Sequence, residues 1–205
     1  MFKKHSDRDQ ILIKRFREFD EARKYIEDIS AYDTETVLSA VDYMITHQEY
    51  YYLLKNLYRQ ILEGKLPRNV YEYALMNMKV CPRRQEEKEI YLKILSTHKD
   101  VYTQPLVEFL KSCCGYLKEF NISLLKNDDP YIRAAGVDIL THCSDEEVKT
   151  AIKELAWREE NPAVAEKIIN YLKIYGEKDD KPLLEHIGER FPQLRELVIE
   201  AAEGI

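Results

Sequence analysis

The sequence is poor in the residues that interrupt helices. Glycine occurs 6 times and proline 7 times in 205 residues, which is low for a protein built from strands and turns. No apolar run approaches the roughly 18 residues of a membrane-spanning helix, and the charged N-terminus lacks the apolar centre of a signal peptide. These absences predict a helical, cytoplasmic protein with no membrane partner.

Motifs for catalysis and metal binding are also missing. The sequence contains no Gly-rich phosphate loop, no G-x-S-x-G, no H-E-x-x-H and no C-x-x-C. His186 and Glu189 are spaced for one helix face, but a single pair of this kind is more typical of a solvated surface than of a metal site. We therefore expect no catalytic residue, no metal and no cofactor.

Charge is unevenly spread along the chain. Apolar residues make up 45% and charged residues 33%, a balance that favours a folded chain over a disordered one. Residues 1–100 carry 18 Lys+Arg and 17 Asp+Glu, whereas residues 101–205 carry 13 and 20. Because binding to duplex DNA requires basic residues that neutralise phosphates, the C-terminal half is a poor candidate for it.

One helix start recurs along the chain. Apolar residues follow helical spacing throughout, and in "NDDPYIRAAGVDIL" Asp128 or Asp129 can cap a helix that has Pro130 in its first turn. Related starts occur at Pro162, in "ENPAVAEKIINYL", and at Pro192, in "FPQLRELVIEAA". The prolines are 32 and 30 residues apart, so this segment is one copy of a repeat.

The repeat extends to about six helix pairs with a period near 30–33 residues. Second helices are expected to begin near residues 33, 67, 100, 130, 162 and 192, and first helices to cover roughly 8–30, 49–63, 84–97, 116–127, 145–159 and 179–190. Ser144, followed three residues later by Glu147, predicts a capping box at one of these starts. A unit of two helices cannot bury its apolar face by itself, so the units are expected to stack into a solenoid.

The repeat resembles HEAT repeats, in particular the short subtype first noted in phycobilisome lyases. The family pattern, Asp-Pro-x-Val-Arg followed by small residues, is matched by Asp129, Pro130, Ile132, Arg133, Ala135 and Gly136. The copy at 161–172 keeps Pro162 but has Ala165 in place of the arginine, and the copy at 191–202 keeps Pro192 and Arg195. The resemblance covers about residues 116–205 and is weaker over the Tyr-rich residues 1–115, where a tetratricopeptide array is the alternative.

The resemblance implies an all-α, right-handed, armadillo-like superhelix that forms a single domain over 1–205. It implies that second helices line a concave surface. It also implies that Arg133 bonds a neighbouring acid such as Asp128 or Asp129 and so ties adjacent loops together, with contact to a bound anion as the alternative.

Four cysteines fit buried, reduced thiols. Cys113 and Cys143 fall at equivalent places near the ends of second helices in adjacent copies, and Cys81 lies close to the same position. The placement is explained if these cysteines act as small apolar side chains that pack under the next repeat. Redox sensing by the neighbours Cys113 and Cys114 is the alternative.

A row of polar positions lies opposite the apolar faces of the second helices. Our hypothesis is that Glu108, Asp138, Asn170 and Glu200 form an acidic-to-amide ridge, with Glu166 beside it, on the concave surface. Such a ridge would attract a protein or peptide with a basic surface. Ordinary solvated helix faces are the alternative.

Tyrosine is frequent, with 15 residues. Three consecutive tyrosines, Tyr50, Tyr51 and Tyr52, cannot all face inward on a helix, so at least one is expected to be exposed. Tyr51 is the predicted interface anchor, because tyrosine combines a large contact area with a polar tip.

The basic, amphipathic segment 3–17 is expected to cap the array, with contact to nucleic acid or an acidic membrane as the alternative.

Together these patterns favour a non-catalytic scaffold or adaptor that binds another protein. The first alternative is a nucleic-acid binder similar to the HEAT-like DNA alkylation-repeat glycosylases, which the acidic ridge disfavours. The second is a lyase-like enzyme that binds a chromophore.

Overall fold

The computed structural model describes residues 16–78, 81 and 83–205. In these ranges the regular structure is entirely helical, with no strand, and the helices pack in the repeat-like manner of an α-solenoid. The predicted fold class is therefore confirmed. No helix in these ranges is long and apolar enough to cross a bilayer. The predicted basic N-terminal helix lies mainly in residues 1–15, outside the described residues.

Twelve α-helices occupy the described residues, and their order agrees with the predicted pairs. They are α1 (Phe19–Glu27), α2 (Thr34–Thr46), α3 (Tyr50–Glu63), α4 (Arg68–Asn77), α5 (Gln85–Leu95), α6 (Asp100–Ser112), α7 (Lys118–Leu124), α8 (Pro130–Leu140), α9 (Glu146–Arg158), α10 (Pro162–Tyr175), α11 (Lys181–Arg190) and α12 (Arg195–Gly204).

The recurring Asp/Asn-Pro start acts as the sequence predicts in two copies. The Asp129 carboxylate accepts a hydrogen bond from the backbone N–H of Tyr131, and Pro130 is the first residue of α8. Asn161 accepts in the same way from Ala163, directly before Pro162 at the start of α10. Each cap satisfies an N–H group that the first helical turn leaves without an intrahelical partner.

Two predicted helix starts differ in the structure. Asp145, not Ser144, caps α9 by accepting from the N–H of Val148, because the Ser144 hydroxyl is instead bonded to the hydroxyl of Tyr171. Pro192 begins a short 3₁₀ turn, Pro192–Leu194, and α12 begins only at Arg195. No Asp or Asn precedes Pro192 to cap an α-helix there.

The chain divides into two compact units, Met1–Leu106 and Val107–Ile205. A single domain over 1–205 therefore stays a prediction. In the first unit α1, α3 and α5 form one layer, while α2 packs against α4 in another. The buried Gln60 side chain joins neighbours in the first layer, because it donates to the carbonyl of Ile26 and accepts from the N–H of Ile29.

In the second unit the second helices α8, α10 and α12 pack side by side, and α9 packs against α11 in the other layer. The α10 residues Val164, Ile168 and Ile169 are fully buried by this stacking. Within the pair α7 and α8, a Cβ on Gly136 would come within 3.0 Å of the Leu124 Cβ. This close approach explains the small residue that the repeat places there.

Arg133 joins two successive repeats through Glu159. Its guanidinium donates to both Glu159 carboxylate oxygens, at 2.8 and 2.6 Å, and to the backbone carbonyls of Asn127 and Asp128. The expected direct partners, the carboxylates of Asp128 and Asp129, do not take this role. Asp129 caps α8 instead, and stacking brings Glu159 from the next loop within reach.

Glu159 is buried, with a side chain only 1% exposed. Burial raises the pKa of Glu159, but hydrogen bonds from Arg133 and from the backbone N–H groups of Asn161 and Glu160 outweigh it and lower the pKa. The other repeat arginine, Arg195, is exposed and forms no ion pair with a described residue.

The prediction of reduced thiols is wrong for this structure. Cys114 and Cys143 form a disulfide with Cα atoms 5.6 Å apart, in the usual range for disulfides, and none of the four cysteines is free. Stacked hairpins bring positions about one repeat apart into contact, and Cys143 pairs with Cys114, 29 residues away, rather than with Cys113, its equivalent in the repeat. Disulfides persist mainly in oxidising compartments and are rare in the cytosol. The disulfide therefore does not support the cytoplasmic location expected from the sequence, which stays a prediction.

We expect the disulfide to survive purification without reductant. Alkylation under denaturing, non-reducing conditions should then label no cysteine, and mass spectrometry of the peptides should recover Cys114 linked to Cys143. The variant Cys114→Ala/Cys143→Ala should lose about 2–4 kcal/mol of unfolding free energy, because the crosslink restricts the unfolded chain. Labelling of all four cysteines in the wild type would instead support the thiols that the sequence predicts.

We expect Glu159→Gln to lower the free energy of unfolding by about 2–4 kcal/mol, since it leaves Arg133 without its countercharge. The lowered pKa means that the Glu159 contribution is present above pH 4–5 and disappears as the pH falls through the folded-state pKa. The difference in unfolding free energy between the wild type and Glu159→Gln should therefore be smaller near pH 4 than at pH 7. Urea unfolding of both proteins at the two pH values measures this difference. Glu160→Gln, in the same loop but exposed, is the control and should change stability by less than about 0.5 kcal/mol. Equal losses in the two variants would contradict this role.

Candidate interaction surface

The predicted ridge residues all belong to the second unit and lie on four second helices, the first of which, α6, begins in the first unit. Glu108 is on α6, Asp138 on α8, Asn170 on α10 and Glu200 on α12. Glu108, Asn170 and Glu200 are exposed and Asp138 is half-buried. They face away from the stacked apolar positions because helical periodicity places polar residues opposite the buried stripe. We call these four residues the ridge.

Lysines from neighbouring helices hold the ridge acids in place. Lys111 Nζ lies 2.8 Å from Glu108 Oε1 and 3.3 Å from Asp138 Oδ1, so it joins α6 to α8. Lys167 Nζ lies 4.0 Å from Asp138 Oδ2, and Lys173 forms an ion pair with Glu200. The ridge is therefore a connected row of acids and lysines rather than a purely acidic surface. Sequence reasoning missed these contacts because they depend on which helices become neighbours.

Lys111 is the least exposed of these lysines, with a side chain 13% exposed. Burial lowers the pKa of Lys111, but hydrogen bonds and attraction from Glu108 and Asp138 outweigh that effect and raise the pKa. Lys111 therefore stays charged at neutral pH and fixes the spacing of two ridge acids.

Acidic and apolar residues surround the ridge. Glu166 is exposed on α10 one turn before Asn170, and Glu196 and Glu203 are exposed on α12. Ile174 and Ile199 are large apolar side chains that remain well exposed beside the Lys173–Glu200 pair. A sequence signal for Ile174 exists, because it falls outside the stripe formed by Ile168, Ile169, Tyr171 and Leu172.

Tyr51 belongs to the first unit, whereas the ridge lies in the second. Of the three consecutive tyrosines, Tyr50 is buried, Tyr51 is 40% exposed and Tyr52 is half-buried. The expectation that at least one is exposed is confirmed. The Tyr52 hydroxyl donates to Glu27 at 2.9 Å, and burial together with this hydrogen bond raises the pKa of Tyr52 to about 12.

Among the described residues, no group of three or more His, Cys, Asp or Glu side chains is arranged to hold a metal ion. His186 packs its ring 4.7 Å from the ring of Trp157. The absence of a metal or cofactor in the native protein stays a prediction.

Comparison with known proteins gives one result. A family model for HEAT repeats matches residues 119–203, which include nearly all of α7–α12 and the ridge residues Asp138, Asn170 and Glu200. The match supports a HEAT-repeat family for this part of the chain and leaves residues 1–118 unmatched. It does not distinguish the phycobilisome-lyase subtype. No curated protein matches the chain, and no solved structure matches it.

Proposed function

We propose that the chain is a non-catalytic scaffold or adaptor, and that its ridge binds a protein or peptide with a basic surface. The observation that carries the proposal is the continuous row from Glu108 to Glu200, held at regular intervals on consecutive second helices. HEAT repeats commonly mediate protein–protein interactions, and solenoids present extended surfaces suited to contact at several points.

The charge of the second unit supports a basic partner. Residues 101–205 carry 20 acidic and 13 basic residues, a net charge of −7. Each exposed ion pair contributes only about 0.2–1 kcal/mol, so useful affinity requires several contacts along the row. Such contacts steer association and weaken with salt. The same charge would repel nucleic-acid phosphates, which is why we favour a protein partner.

The test is capture of partners from a lysate of the source organism, with a low-salt wash followed by a moderate-salt wash. The wild type should retain a protein with a basic surface that elutes at moderate salt. Asp138→Lys/Glu200→Lys should retain about tenfold less of it, because reversing two ridge charges replaces attraction with repulsion. Quantitative mass spectrometry of the bound fractions measures the difference.

The control is Glu154→Lys/Glu185→Lys. These acids are exposed on α9 and α11, away from the ridge, and form no ion pair with described residues. The control changes the net charge by the same amount, so it should retain the partner nearly as well as the wild type. If both variants lose the partner equally, the binding depends on net charge and not on the ridge. If neither variant loses the partner, the proposal is contradicted.

A further inference from the structure

A groove of about 400 Å³ lies in the first unit, between α3 and α5. Its apolar lining comes from Tyr51, Tyr58 and Leu62 on α3 and Ile90 on α5. Tyr51 is 40% exposed and Leu62 is 57% exposed, so part of this apolar lining is open to solvent. The groove is separate from the ridge, because all of its lining belongs to the first unit.

The groove has the length of a short helix. Tyr51, Tyr58 and Leu62 are 7 and 4 residues apart, so they lie along one side of α3. At 1.5 Å per residue, the distance from Tyr51 to Leu62 is about 16 Å. A helix of about three turns has the same length and would contact all three side chains.

Charge is segregated along the groove. α3 and α5 are the first helices of successive pairs and pack side by side, and successive repeats of a solenoid keep one orientation. The two helices therefore run in the same direction. Glu86 and Glu89 line the end near their N-termini, and Lys93 lines the opposite end.

The charged side chains of the groove are available to a partner. Glu86, Lys55 and Lys93 are exposed and form no ion pair with a described residue. Arg59, which also lines the groove, is already held by Glu63 at 2.9 Å. The free charges are thus acidic at one end of the groove and basic from Lys55 to the other end.

We propose that this groove binds an amphipathic helix of a partner protein, about three turns long, with an acidic first turn and a basic last turn. The partner helix lies antiparallel to α3 and α5. Its basic C-terminal turn faces Glu86 and Glu89, and its acidic N-terminal turn faces Lys93. This charge order also suits the dipole of the partner helix itself. Its apolar stripe contacts Tyr51, Tyr58 and Leu62, as in other helix-in-groove complexes.

The test uses two stapled 12-residue peptides and the full chain. The matched peptide has Glu in its first turn, Lys in its last turn and a leucine stripe between them, and the reversed peptide has the charges exchanged. A staple lowers the entropic cost of ordering the helix. Fluorescence anisotropy should show saturable binding of the matched peptide, at least about tenfold tighter than that of the reversed one.

Variants locate the site. Tyr51→Ala and Leu62→Ala should each weaken binding of the matched peptide about fivefold or more. Met76→Ala, which removes an even more exposed apolar side chain of α4 in the same unit, should leave binding unchanged. Circular dichroism checks that each variant is folded.

Exchanging the groove charges gives the strongest test. The variant Glu86→Lys/Glu89→Lys/Lys55→Glu/Lys93→Glu should prefer the reversed peptide. Asp138→Lys/Glu200→Lys should bind the matched peptide like the wild type, so failure of the ridge proposal and failure of this one are distinguishable. Absence of saturable binding, equal affinity for both peptides, or no effect of Tyr51→Ala would overturn the inference.

Discussion

The burial of α10 between α8 and α12 is the constraint on which the second unit depends. Helix α10 buries Val164, Ile168 and Ile169 completely. It can do so only because α8 and α12 lie on either side of it. The same stacking leaves one face of every second helix in solvent. The polar residues on that face form a row as a direct result, whatever partner the row binds.

Contacts between loops set how successive repeats stack in this unit. Arg133 reaches the Glu159 carboxylate across 26 residues, and the Cys114–Cys143 disulfide joins positions 29 residues apart. Each separation is close to one repeat. Lys111 adds a link between the helices themselves, from α6 to Asp138 on α8. Since Asp138 follows Arg133 on α8, the contacts that fix the loops also fix where the ridge lies.

Local patterns predicted the helices well, because caps and apolar spacing act within a few residues. Asp129 and Asn161 cap the helices that their sequences indicate. Contacts between repeats were harder to predict. Glu159 replaced Asp128 and Asp129 as the partner of Arg133, and cysteines expected as thiols formed disulfides. Both outcomes depend on which loops stacking brings together. The role of Glu108, Asp138, Asn170, Glu200, Glu166 and Tyr51 in binding a partner stays a prediction.

Site-specific photocrosslinking tests the central claim most directly. Asn170 is suited to carry a benzoylphenylalanine, because it is exposed in the middle of the ridge and takes part in no ion pair. The same probe at Glu154, on the exposed side of α9, is the matched control. If the ridge binds the basic partner, irradiation of the complex should give a covalent adduct from position 170 and none from position 154. An adduct from position 154 alone, or none from position 170 in a complex that remains assembled, would contradict the account.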